Sequence, residues 1–159
     1  MQTKMIVMFF ETIDRAERAF NALDALETAG EGFAIDSAVL IQKDEAGKAV
    51  VLRKETESLR GTVIGAATGT LLGALGGPVG AALGLTVGAL AEGAERAVKD
   101  IVEHGFVHSV DSALTAGNLA LVIEARESTP YAVDEIIQEN ATSAFRRNIF
   151  FEPRGTGVD

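Results

Sequence analysis

Residues 5–20 read MIVMFFETIDRAERAF, and the change of rhythm at Glu11 decides the fold class. Up to Phe10 the stretch is short, unbroken and apolar, which suits a buried strand. Thr12 then offers a helix cap, with Asp14 in the first turn, where a carboxylate favours a helix N-terminus. Ala16, Ala19, Phe20, Leu23 and Leu26 recur at helical spacing until Gly30 stops the helix. Phe33, Ile35, Val39 and Ile41 predict a second strand over residues 33–43, its alternation interrupted at Ser37 and Ala38.

The same plan returns near the other end of the chain. Residues 119–123 form an apolar strand, and Thr129 followed by Pro130 is a helix start, a capping residue with proline in the first turn. Val133, Ile136 and Ile137 correspond to Ala16, Ala19 and Phe20 as the buried face, and residues 145–151 close the unit as a strand. Two strand–helix–strand units, over 4–43 and 118–151, predict an α+β, ferredoxin-like sandwich around one sheet. Asp44 to Gly47 reads as a hairpin loop and residues 49–52 as an extra return strand. Ala94, Ala97, Val98, Ile101 and Val102 make one face of an amphipathic helix ending near Gly105. Phe106, Val107, Val110 and Leu114 continue as a short second helical face up to Gly117. The expected organisation is one α+β domain built from residues 1–60 and 92–152, an insertion over 61–91, and a polar tail over 153–159.

The insertion, GTVIGAATGTLLGALGGPVGAALGLTVGAL, runs from Gly61 to Leu90 without a charged residue. Gly61, Gly65, Gly69 and Gly73 keep a four-residue period, and Gly76, Gly80, Gly84 and Gly88 keep a second. Residues four apart share one face of a helix, so each series is a groove free of side chains that a neighbouring helix can approach closely. Gly76, Gly77 and Pro78 supply a turn between two arms, over residues 62–75 and 79–91. An arm of this length reaches ~21 Å, against ~30 Å of bilayer hydrocarbon. The flanking strands belong to one sheet, so the chain must leave and return on the same side of any membrane. A flexible linker is a poorer reading, since linkers favour serine and charge over Leu, Val and Ile. A phosphate loop is poorer still, because no Gly-Lys-Ser/Thr follows any glycine.

Composition narrows the function classes. The chain has 159 residues, 47% hydrophobic, with a formal net charge of -9. No basic footprint for nucleic acid is present, so nucleic acid is not an expected partner. The absence of cysteine excludes disulfides and thiolate metal sites. The N-terminal apolar run is too short for a signal peptide and lacks a small-residue cleavage site, so no export is expected.

The first strand, the hairpin Lys43-Asp44-Glu45-Ala46-Gly47-Lys48, the glycine segment GTVIGAATGTLLGALGGPVGAALG and Leu114-Thr115-Ala116-Gly117 resemble a prokaryotic family of predicted membrane proteins, a domain of unknown function numbered 1269. The resemblance covers most of the chain. It implies membrane association and carries no catalytic residues.

Residue types with catalytic potential are few. His104 and His108 have a spacing that can chelate a metal from one helix face. Gly105 breaks that helix and a third ligand is missing, so both read as helix-terminal histidines. His108, Ser109 and Asp111 contain triad residue types without evidence of convergence. Arg146 and Arg147 could pair with carboxylates or phosphate, but near a chain end they read as solvated. No catalytic, cofactor or metal site is expected.

The leading expectation is a non-enzymatic, self-associating protein whose glycine-zipper hairpins pack in a homo-oligomer at the cytoplasmic side of the cell membrane, with the bilayer as a further partner. Arg53, Lys54, Arg60, Arg96 and Lys99 flanking the segment suit that side, although Glu92, Glu95 and Asp100 dilute the signal. The alternative is a cytoplasmic assembly or small apolar-ligand-binding protein with the hairpins buried between subunits. An enzyme acting on a small apolar substrate rests on fold analogy alone.

Overall fold

A computed structural model describes residues 3–30, 32–56, 66–75, 99, 101 and 105–149. The run from Thr3 to Phe10 is a strand, β1, and Ile13–Ala29 a helix, α1. Thr12 is extended and its Oγ1 accepts from the Arg15 N–H at 3.3 Å, the expected cap. Gly30 takes the left-handed conformation, φ 69°, and its N–H donates to the Glu27 carbonyl at 3.0 Å, closing the helix. Strands β2 (Phe33–Lys43) and β3 (Ala49–Thr56) flank the hairpin at Gly47. Helices α2 (Ala66–Leu75) and α3 (Phe106–Ala113) precede β4 (Leu119–Glu127), α4 (Tyr131–Asn140) and β5 (Ser143–Asn148).

The chain is thus α+β, with a five-stranded antiparallel sheet in the order β3-β2-β4-β1-β5. Both sheet faces are covered. On one, Ile6, Met8, Phe10, Leu121 and Ile123 pack against Ala16, Ala19 and Leu23 of α1 and Val133 and Ile136 of α4. On the other, Met5, Val7, Phe9, Val39 and Val122 pack against Leu71 and Leu75 of α2, Phe106 and Val110 of α3, and Leu114 just behind it. Two helical layers explain why β1 is apolar at consecutive positions instead of alternating.

The interruption at Ser37 and Ala38 has a structural counterpart. Ile35 pairs with Ala125, but Ser37 pairs with Glu124, leaving Asp36 as an extra residue in β2. This bulge changes the alternation: Phe33 and Ile35 face α1 and α4, and beyond it Ala38 and Leu40 take that face. Ser37 is turned to the α2 side.

Several boundaries differ from the sequence reading. β4 runs on to Glu127 because Glu124 and Glu127 both find partners inside the fold. Helix α4 starts behind Pro130, one position later than a Thr129 cap implies, and Pro130 makes no side-chain cap. β5 covers residues 143–148, ending before the expected 151. Ile101 is helical and fully buried, while Ala94, Ala97, Val98 and Val102 lie outside the described residues.

Candidate functional site

Helix α2 is the described part of the glycine-rich segment, and its residue types set how it sits. Ala67, Leu71, Leu72 and Leu75 are buried against the sheet and α3. Thr70, Gly73 and Ala74 occupy the less buried side, where every residue is small. Gly69 is buried and Gly73 half-buried. The helix is therefore two-sided, with leucines toward its own sheet and small residues away from it.

Beneath its N-terminus lies a buried carboxylate. Glu124 of β4 is 3% exposed, and its Oε2 accepts from the Thr68 hydroxyl at 2.5 Å and the Thr68 backbone N–H at 3.1 Å. The Ser37 hydroxyl, brought to this face by the bulge, donates to the same oxygen at 3.4 Å and lies 3.4 Å from the Thr68 hydroxyl. Thr68 is in the first turn of α2, so a side chain from the sheet supplies the acceptor that a capping residue supplies elsewhere. Burial pushes the Glu124 carboxyl above the ordinary carboxylate range. The bonds from Thr68 and Ser37 pull the other way, and the Asp36 carboxylate adds to the rise. Asp36 is itself held by Arg126 through two bonds, 2.8 and 3.1 Å.

A second buried acid, Glu127, ends the opposite sheet face. Its carboxylate takes Lys4 at 3.2 Å and Arg146 at 2.9 Å. Arg146 also bonds Asp134 of α4 and donates to the Pro130 carbonyl at 3.3 Å. Burial works against the Arg146 charge, but the bonds to Glu127 and Asp134 outweigh it and hold the guanidinium more firmly than usual. The expectation that both arginines are solvated is corrected here: Arg146 joins β5 to β4 and α4, and Arg147 lies over the Phe106 ring, 5.4 Å from its centre.

An open cleft of about 590 Å³ lies between the β2–β3 hairpin, the end of α2 and α3. Lys48, Leu75, Val107, His108 and Asp111 are among its lining residues. Asp111 is engaged by Lys43 at 2.9 Å. His108 is exposed on α3, behind Gly105 with φ 72°, and His104 lies outside the described residues. Among the described residues no group of three His, Asp or Glu is placed to hold a metal ion.

Residues 58–152 match the model of a family described as protein of unknown function (DUF1269). The chain belongs to that family. The DUF1269 match takes in α2, α3, β4, α4 and β5, and so includes Thr68 and Glu124; β1, α1, β2 and β3 precede it. No curated protein and no solved structure matches the chain.

Of the glycines singled out in the DUF1269 stretch, Gly69 and Gly73 fall on α2. Gly61, Gly65, Gly76, Gly80, Gly84 and Gly88 lie outside the described residues, as do the turn at Gly76, Gly77 and Pro78 and the second arm. The first arm, expected over 62–75, is described as α2 over Ala66–Leu75, ~15 Å of helix. Among the described residues no helix is long and apolar enough to cross a membrane. The sequence marks Ser37 only as a break in alternation, and neither Glu124 nor Thr68 stands out in it as a site residue. Their signals were an acid inside the apolar run LALVIEA and the broken alternation at Ser37.

Proposed function

We propose that the protein is a non-enzymatic, self-associating protein in which copies meet through the small-residue side of α2 and the glycine-rich segment that continues from it. The observation carrying this reading is the two-sidedness of α2. Leu71 and Leu75 are committed to the protein's own sheet, while Gly73 and Ala74 leave a low surface that another helix can approach closely.

The supporting domain reads as a ferredoxin-like sandwich with β3 added at one edge. Without β3 the strand order is β2-β4-β1-β5, as two interleaved strand–helix–strand halves would give. Both halves place their helices, α1 and α4, on one face, leaving the other face to α2 and α3.

The family resemblance makes the cytoplasmic face of a membrane the first setting for such an oligomer. The seating of the α2 leucines favours a second setting, a cytoplasmic assembly with the glycine segments buried between subunits, because withdrawing α2 into lipid would uncover Met5, Val7 and Val122. Light scattering of the purified full chain with and without detergent is the test. An oligomer that persists without detergent supports the assembly, and an oligomer dispersed only in detergent or lipid supports the membrane setting. A monomer under both conditions overturns self-association.

A further inference from the structure

We propose that Glu124 is a proton-binding site that controls how firmly α2 is held on the sheet. This goes beyond the self-association reading and does not depend on it, since both the carboxylate and the helix it holds are in one chain.

The geometry supplies the device. Glu124 is one of the four buried polar or charged side chains among the described residues, and it is the acid that joins the sheet to the glycine-rich helix. Its Oε2 gathers the Thr68 N–H, the Thr68 hydroxyl and the Ser37 hydroxyl, so every bond from Thr68 to this carboxylate breaks when α2 lifts away. Lifting also returns the carboxyl to water, where its charged form is far better solvated than in the interior. The charge state therefore biases the docking equilibrium. A protonated Glu124 sits in the interior at little solvation cost and keeps its hydrogen bonds. An ionised one gains by being released.

The surroundings do not cancel this. α2 carries no charged residue. From β1 the paired residue is Met5, and beyond it on the same face Arg147 of β5 lies over the Phe106 ring and is not among the groups that shift Glu124. From β2 the facing groups are Ser37 and the bulge residue Asp36, whose carboxylate opposes a second negative charge. Arg126 of β4 is engaged with that Asp36 carboxylate. Because the folded carboxyl holds its proton above the ordinary carboxylate range, the docked state binds the proton more tightly than the undocked state. The contribution to docking is then complete below the ordinary Glu range and is lost as pH rises through the raised value. α2 is held most firmly in mild acid and less firmly toward neutral pH.

Hydrogen exchange tests this on the full chain, comparing wild type with Glu124→Gln, which keeps an acceptor for Thr68 but cannot ionise. The ratio of their exchange rates at each pH removes the intrinsic pH dependence of exchange. Between mildly acidic and neutral pH, the α2 amides of the wild type should speed up several-fold relative to the variant, while the β1 amides keep a constant ratio. A flat α2 ratio overturns the proposal, and so does a change shared equally by α2 and β1, which would report the whole fold. Should the variant fail to fold, carboxyl carbon NMR of wild-type Glu124 decides. A midpoint above the ordinary carboxylate range supports the site, and a midpoint at or below it removes the site.

Discussion

Gly32 shows how a single atom can be excluded from this fold. Its φ of 79° already disfavours any side chain, and a Cβ built there would overlap the Ser128 Oγ and lie 3.0 Å from the Ser128 Cβ. The Ser128 hydroxyl can rotate away, but its Cβ cannot retreat freely, since the Ser128 N–H donates to the Gly32 carbonyl at 2.8 Å. Gly47 shares the left-handed conformation, φ 83°, but a Cβ there meets nothing within 4 Å. Gly47→Ala should therefore cost about 1 kcal/mol through backbone strain alone, and Gly32→Ala about 2 kcal/mol or more. Urea unfolding of the two variants beside wild type measures the difference. Equal losses would mean that the contact with Ser128 is relieved without cost.

At the scale of elements, the question is whether α2 belongs to the folded core. Leu71 is fully buried among residues of β1, β2, β4 and α3. Leu71→Ala should lower unfolding stability by about 2 to 5 kcal/mol, the usual range for a truncated core leucine. A loss near zero would place α2 away from the sheet.

How far such elements are legible in sequence depends on where their partners come from. β1 and α1 are legible because the signals are local: an apolar run, Thr12 as cap, helical spacing, Gly30 as stop. The irregularity in β2 is legible too, but the bulge at Asp36 is defined by its register with β4, distant in the chain. Glycine spacing dominates the stretch that holds the leucines of α2, so the sequence alone presents them as part of an insertion. Their placement follows from a wider consideration. β1 is apolar on both faces, α1 and α4 cover only one, and a second helical layer must come from the middle of the chain. Glu124 is not legible in the sequence for the same reason: its partners, Ser37 and Thr68, come from β2 and α2.

For the whole molecule, folding and the proposed association would make separate demands on the same helix. Leu71 and Leu75 serve the domain, whereas Gly73, half-buried on the small-residue side, is the position on which the proposed contact between copies can be tested. Gly69 is a poorer probe of association, because it is buried within the chain itself and a large side chain there would disturb the fold. Gly73→Leu should therefore reduce the size of the assembly seen by light scattering while leaving unfolding stability within about 1 kcal/mol of wild type. The small allowance has a physical source. Replacing a helical glycine gains up to about 1 kcal/mol in backbone propensity, which offsets part of the cost of exposing a leucine. Leu71→Ala should show the converse, a weakened fold in which the small-residue side of α2 is unaltered. If Gly73→Leu leaves the assembly size unchanged, copies of the chain do not meet through this side of α2, and the glycine period has another purpose. If it unfolds the domain instead, the side assigned to association is already occupied within the chain.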